Sequence, residues 1–181
     1  MHEELLLLNR ARSLDSDALA EIHDTYYTPI FRYIVLRVGD HHTAEDLSSE
    51  VFMRLLHALR DKTAPQKTLR GWLFSVASRV VKDHYRKKYR VQHTELDDSF
   101  PSEMAEPDQE VEMRITQESI HDAMRDLTED QQNVLALRFG YEMSIREVAN
   151  TMGKSEGAIK MLQARAVAML SRKLHTGTAR S

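Results

Sequence analysis

Cationic side chains recur at helical spacing in the stretch LRGWLFSVASRVVKDHYRKKYR, and such side chains can neutralise phosphate groups. At 100° per residue, one stripe of a helix carries Trp72, Ser75, Arg79, Lys82, Arg86 and Arg90. An aromatic ring above a ladder of cations suits a nucleic-acid strand, because the ring stacks on a base while the cations hold phosphates. A solvated basic face with Trp72 in the core is an equally good interpretation of these residues alone.

A second candidate nucleic-acid surface lies in SIREVANTMGKSEGAIKMLQARA, which starts at Ser144. Ser144 and Glu147 have the spacing of a capping box, and Gly153 suits the left-handed turn that ends a short helix. Ser155 can cap the helix that follows. The outward face of this helix carries Lys160, Met161, Ala164 and Arg165. The pattern favours a helix–turn–helix that places this face in the DNA major groove, over an ordinary helical hairpin.

A third face on one predicted helix carries Asp46, Glu50, Arg54 and His57, with Met53 beside it. Thr43 and Asp46 have capping-box spacing, so this helix is expected to open at Thr43. Most charged helix faces are simply solvated, and that interpretation is favoured until other information is added.

The composition predicts an all-α protein without catalytic chemistry. Of 181 residues, only six are Gly and four are Pro, and there is no Cys, so disulfides and cysteine-ligated metals are excluded. MGKSEG has Val148 where a P-loop needs glycine, and the histidines lack metalloprotease spacing. We therefore predict no enzyme activity, metal or cofactor. No run approaches the roughly 18 apolar residues of a membrane span, so a cytoplasmic protein without membrane insertion is expected.

The elements that must position these faces fall into two helical domains. Charge is segregated along the chain: residues 79–90 have a balance of +5, residues 91–113 of −8, and residues 144–174 of +4. The acidic stretch lacks helical periodicity and predicts a flexible linker over 91–113, between domains at 10–90 and 114–175. Helices are predicted over 17–38, with Pro29 allowing a kink, and over 69–90. Thr128 and Gln131 predict a further capped helix that ends near Gly140.

These segments resemble, in this order, a bacterial RNA polymerase sigma factor of the extracytoplasmic-function (ECF) group. AEDLSSEVFMRLLHAL is similar to that family's core-binding helix, and LRGWLFSVASRVVKDHYRKKYR to its helix for promoter melting and −10 reading. The segment from Leu127 to Leu170 is similar to its −35-reading domain. The resemblance implies region 2-like and region 4-like domains that bind core polymerase, through its beta and beta-prime subunits, and promoter DNA.

The resemblance also implies roles for each face. The Asp46 face would meet the polymerase, Trp72 would support the melted strand, and the loop from Thr63 to Gly71 would pocket a flipped base. Lys160 and its outward neighbours would meet the −35 element. The acidic linker would thread through the polymerase channel. An anti-sigma partner that covers both domains is frequent in the family, and the free protein is expected to be monomeric.

Three positions depart from the family pattern. Arg79 stands where the family often has Asn, Val167 where a basic residue is common, and Met161 where a small polar residue is usual. These departures affect the promoter sequence rather than the class. Two alternatives stay open here: a self-standing helix–turn–helix regulator with a sensing or dimerising N-terminal domain, and a helical adaptor without DNA binding. The absence of a sensor-like pattern disfavours the first, and the basic face at Lys160 and Arg165 disfavours the second.

Overall fold

The computed structural model describes residues 2–65, 68–94 and 118–178, and every regular element within them is helical. The helices are α1 (His2–Arg12), α2 (Ser16–Val38), α3 (His41–Arg60), α4 (Leu69–Thr94), α5 (residues 118–125), α6 (Glu129–Leu135), α7 (Ile145–Met152) and α8 (Glu156–Thr178). A π-helical turn, Ala136–Gly140, continues α6. The all-α prediction is confirmed. The predicted linker, beyond its first four residues in α4, lies outside the described residues.

The first half of the chain packs α1 to α4 around one apolar core. Its fully buried side chains include Leu8, Ile22, Ile30, Tyr33, Val51, Leu55, Leu73 and Ala77. Leu8 and Ala11 come from α1, so this helix belongs to the same packed unit. The packed unit therefore begins before residue 10, the predicted start of the first domain. Pro29 lies inside α2, which continues without interruption from Ser16 to Val38.

The connection from α2 to α3 differs in part from the prediction. Gly39 ends α2 in the left-handed region at φ 75°, as expected, and a Cβ there would lie 2.2 Å from the His121 ring. Helix α3, however, begins at His41 rather than Thr43. The carboxylate of Asp40 accepts the Thr43 N–H at 2.8 Å and satisfies the first turn, so Asp40 is the N-cap. Hydrogen bonds from the Thr43 side chain, and then from its backbone N–H, lower the pKa of Asp40.

The capping signals of the second half are confirmed. Thr128 with Gln131 and Ser144 with Glu147 each form both bonds of a capping box, opening α6 and α7. Gly153 ends α7 at φ 64°, and the Ser155 hydroxyl accepts the Ala158 N–H at 3.1 Å to open α8. The sequence therefore predicts the local geometry of the helix–turn–helix from its capping residues.

The two halves share a continuous core because the π-helical turn packs on α2. Gly140 allows the close approach: a Cβ at this residue would lie 3.0 Å from the backbone nitrogen of Tyr33. Val134, Leu137 and Tyr141 are buried in the same apolar cluster as Tyr33. A smaller cluster around Met124, Leu127, Leu135 and Ala166 joins α5 and α6 to α8.

Candidate nucleic-acid interface

Helix α8 presents the predicted outward face to solvent. Ile159 and Ala166 are fully buried, and Leu162 is half-buried on the same side. The opposite side is exposed and carries Lys160, Met161, Ala164 and Arg165, with Ser155 at the helix start. Short side chains at Gly157 and Ala164 keep this face low, so the helix backbone could approach a groove closely.

Helix α4 carries the predicted stripe along one side. Trp72 is half-buried and packs against the apolar core, so one edge of the ring serves the fold. Ser75 is half-buried too, and its hydroxyl donates to the Gly71 carbonyl at 3.0 Å. Beyond this first part the side chains are exposed at Arg79, Lys82, Arg86 and Arg90. The stripe thus changes from an aromatic, partly buried start to a cationic, exposed end.

A basic cleft lies where the cationic end of α4 faces the second half. Lys82 Nζ lies 2.8 Å from the Glu129 carboxylate at the start of α6. The cleft, about 710 Å³, is lined by Arg37, Lys82, Tyr85, Arg86, Tyr89, His121, Met124, Arg125, Glu129 and Gln132. Burial, then Arg125, lowers the pKa of His121, whose buried Nδ1 has no hydrogen-bond partner among the described residues. Part of the predicted DNA-contacting stripe therefore lies against the second half of the chain.

The third predicted face lies on α3 and is open to solvent. Asp46, Glu50 and Met53 are exposed, and Met53 retains 49% of its accessible surface. Arg54 is tied down: it donates to Glu50 at 2.9 Å and to Asp83 of α4 at 3.3 Å. An exposed thioether beside fixed charges is suited to protein contact, because Met adapts to irregular apolar surfaces.

A buried polar network joins the two halves, and sequence analysis did not predict it. The Tyr33 hydroxyl donates to Asn133 Oδ1 at 2.8 Å, and the guanidinium of Arg37 donates to Tyr33, Gln132 and Asn133. Arg37 is only 6% exposed, yet the acceptors described around its side chain are neutral oxygens. A buried cation held by neutral groups recovers its desolvation cost only in part. The network therefore specifies the docking geometry more than it strengthens it.

Arg70 forms a second bridge between the halves. Its guanidinium donates to Glu147 at 2.8 Å and to the Tyr141 carbonyl at 2.9 Å, and lies 5.3 Å from the centre of the Tyr141 ring. Glu147 is also the capping-box residue of α7, where the Ser144 backbone N–H is the main cause of its lowered pKa. The Glu147 carboxylate thus caps the start of α7 and binds Arg70 at the start of α4. The spacing of 77 residues gives no local sequence signal for this pair.

An apolar groove of about 440 Å³ lies between α8, α5 and the π-helical turn. Val167 belongs to its lining together with Phe139 and Leu174, which stay 59% and 37% exposed. The three-to-four-residue spacing of Val167, Leu170 and Leu174 was a signal that could have revealed this groove. The apolar residue at position 167, where the family often has a basic one, thus continues an apolar surface.

Across the described ranges, none of the helices is long and apolar enough to cross a bilayer. The same ranges contain no cluster of three or more His, Asp or Glu side chains arranged to hold a metal ion.

Comparison with known proteins places the chain in a family. Sigma-70 region 2 matches residues 22–91, and Sigma-70, region 4 matches residues 123–172. The chain is 38% identical over 171 residues to the ECF RNA polymerase sigma factor BldN of Streptomyces coelicolor, covering 93% of this chain and 64% of that protein. The chain belongs to the ECF sigma factors, which are DNA-binding proteins of transcription initiation. It spans slightly less than two thirds of the BldN length.

The chain is also similar to more distant proteins. The RNA polymerase sigma factor YlaC of Bacillus subtilis is 26% identical over 142 residues, covering 77% of this chain and 82% of YlaC. Among solved structures, CnrH in complex with the cytosolic domain of CnrY has a TM-score of 0.72 at 21% identity, covering 96% of this chain and 97% of CnrH. The sigma factor RpoE of Bartonella quintana, in complex with the anti-sigma factor NepR, has a TM-score of 0.63 at 22% identity, covering 88% of this chain and 97% of RpoE. These structural likenesses support the fold.

Proposed function

We propose that this chain binds core RNA polymerase, directs it to promoters through their −10 and −35 elements, and assists strand opening. The observation that carries the proposal is the pairing of two solvent-facing cationic helix surfaces, on α4 and α8, within one chain of the sigma family. The protein contributes no chemistry of its own to RNA synthesis. Its role is to position the enzyme, so its surfaces must supply binding and selectivity.

The face on α3 is the proposed contact with core polymerase. Asp46, Glu50 and Met53 are exposed, and the two ion pairs of Arg54 fix the guanidinium at the edge of the face. Met53 and Arg54 favour a protein interface, because Met and Arg are both enriched at such interfaces. The family resemblance assigns this contact to the coiled coil of the largest polymerase subunit.

The α4 stripe is the proposed reader of the −10 element. Arg79, Lys82, Arg86 and Arg90 are exposed cations that can hold phosphates along one strand. Trp72 is fixed against the core and keeps part of its ring accessible, so it can support an unstacked base. Residues 66 and 67 of the proposed base-pocketing loop lie outside the described residues.

Helix α8 is the proposed reader of the −35 element. Arg165 and Lys160 lie on its exposed face, and arginine can donate two parallel hydrogen bonds to a guanine edge in the major groove. Ala164 and Met161 provide apolar contact of the kind that recognises a thymine methyl group. Ser155 lies at the helix start, where a hydroxyl or a backbone N–H can meet a phosphate.

Reading both elements requires the two halves of the chain to separate. The two elements lie roughly 25 base pairs apart, or about 85 Å along duplex DNA. A compact chain of this length has a radius of gyration of only about 16 Å. The 23 residues between the described parts could extend to about 75 Å. We therefore propose that the docked arrangement is that of the free protein, and that it opens on the polymerase.

An anti-sigma protein is the proposed regulatory partner. CnrH and RpoE of Bartonella quintana are structural neighbours that were each solved in a complex, RpoE with an anti-sigma factor. A partner that binds the docked halves would keep the α4 stripe beside the second half, where Lys82 already pairs with Glu129. We also propose that the protein acts in the cytoplasm, where core polymerase is found.

Permanganate reactivity of unpaired thymines tests the proposed strand opening. The chain is incubated with core polymerase and a promoter fragment, and each component is omitted in turn. We expect reactive thymines near the −10 element only when both proteins are present. Reactivity that core polymerase produces alone, or a chain that protects duplex DNA equally well without polymerase, would instead support a self-standing regulator.

A further inference from the structure

Helix α1 lies N-terminal to both matched family regions, yet it contacts the start of α4 directly. Glu4 Oε1 accepts the backbone N–H of Leu69 at 2.8 Å and that of Arg70 at 3.0 Å. These are the first two residues of α4. The first N–H groups of a helix have no partner within the helix, and a carboxylate is their strongest side-chain acceptor. Glu4 therefore caps α4 from 65 residues away.

A second contact ties α1 to the other end of the preceding loop. Arg12 Nη2 donates to the Pro65 carbonyl at 2.7 Å, and Arg12 Nη1 donates to Asn9 at 3.0 Å. Helix α1 is itself anchored, because Leu8 and Ala11 are fully buried in the core of the first half. Helix α1 thus holds both Pro65 and Leu69. These two residues lie on either side of the loop that leads into α4.

Glu4 is surrounded by side chains of other helices. The side chain is half-buried and lies beside Tyr26 of α2, whose pKa rises to about 12 through burial first and then the Glu4 charge. Arg70, held through its backbone by Glu4, is held through its side chain by Glu147 and the Tyr141 carbonyl. When the halves separate, the second set of contacts is lost and the Glu4 bonds remain.

We propose that Glu4 is a positioning residue for −10 recognition. It fixes the first turn of α4, including the backbone next to Trp72. The inference rests on the proposed function, since it assumes that α4 contacts the −10 element. Base selectivity at that element then depends on Glu4 through the backbone that it holds at the start of α4.

Amide hydrogen exchange of the free protein tests the positioning itself. In Glu4→Ala, the Leu69 and Arg70 amides lose their acceptor, and we expect them to exchange about tenfold faster, the size of a lost cap. Glu4→Gln retains a side-chain carbonyl and should restore most of the protection. The control variant is Glu3→Ala, which removes the same charge from an exposed neighbour. Unchanged exchange in Glu4→Ala, or equal changes in Glu3→Ala, would overturn the proposal.

Transcription with core polymerase tests the consequence. On promoters with single-base changes, Glu4→Ala should reduce discrimination at −10 positions about threefold or more, with −35 discrimination and core binding unchanged. Equal losses at both elements would indicate destabilisation and overturn the proposal, as would wild-type −10 selectivity. A wild-type protein without any −10 dependence would instead contradict the proposed function, and the exchange experiment would still decide the role of Glu4 in the fold.

Discussion

At the residue scale, the outward face of α8 offers a direct test of base readout. Arg165 is exposed on the same side as Lys160 and Met161, while Ile159 and Ala166 on the inner side of the helix are buried. An exposed arginine can either hold a phosphate or read a base edge, and these two roles predict different substitution patterns. A phosphate contact depends on charge, whereas base readout depends on the planar guanidinium.

We expect Arg165→Ala to weaken −35 recognition by about 1–3 kcal/mol while core binding is retained. Arg165→Lys keeps the charge and should recover overall affinity without recovering preference at the contacted base. The measurement is competition between wild-type and −35-substituted promoters in transcription with core polymerase. Promoter-specific transcription that Arg165→Ala leaves unaffected would show that the recognition face is assigned wrongly.

Residue-scale contacts were predictable from the sequence only where they are local. Both capping boxes join residues three positions apart, so the types of Ser144 and Glu147 were sufficient. At α3, Thr43 with Asp46 offered the same signature, but the Thr43 N–H donates to the carboxylate of Asp40, which is the N-cap instead. The bonds from Glu4 to α4 and from Tyr33 to Asn133 span 65 and 100 residues, and periodicity carries no information at that range.

At the element scale, α3 combines a buried side that builds the core with an exposed side that is free for a partner. Ala44, Val51 and Leu55 are buried, and Leu47 is half-buried. Periodicity predicted this division, because residues three and four apart share a side of the helix. The choice between a solvated and a binding surface did not follow from periodicity, since both need exposed charges.

Replacing Asp46 and Glu50 together by Arg should impair co-purification with core polymerase by at least about tenfold. The reason is that the two acidic groups of the proposed contact become cations, which reverses the charge that the face presents to its partner. The matched control changes Glu45 and Ser49 to Arg, since both are exposed one position earlier on the same helix. Thermal unfolding of both variants checks that the fold persists. Undiminished co-purification of the Asp46 and Glu50 variant would exclude this face as the polymerase contact.

At the scale of the whole molecule, the docked halves are held by a shared apolar core and by polar contacts. Arg37, Tyr33 and Asn133 form a buried network, and the ion pair of Arg70 with Glu147 is partly exposed. Exposed ion pairs contribute about 1 kcal/mol or less. The fold class was predictable from composition and motifs, and the exposure of the cations on α4 and α8 followed from helical periodicity. The docking was not predictable, because it depends on the shape match of Gly140 against α2.

Distance measurement between two labels tests the separation of the halves. The chain has no native cysteine, so Glu45→Cys on α3 and Ala168→Cys on α8 give specific attachment sites at exposed positions. We expect a short distance in the free protein and an increase of several tens of Å on core polymerase with promoter DNA, given the spacing of about 85 Å. An unchanged distance in the promoter complex would contradict the opening.

The most direct test of the central claim is run-off transcription with purified core polymerase, this protein and a pool of genomic promoter fragments. We predict discrete new transcripts that require the protein and that lose yield when either the −10 or the −35 sequence is altered. A reaction without protein-dependent transcripts, in which the protein alone binds duplex DNA through α8, would contradict the account and identify a self-standing regulator.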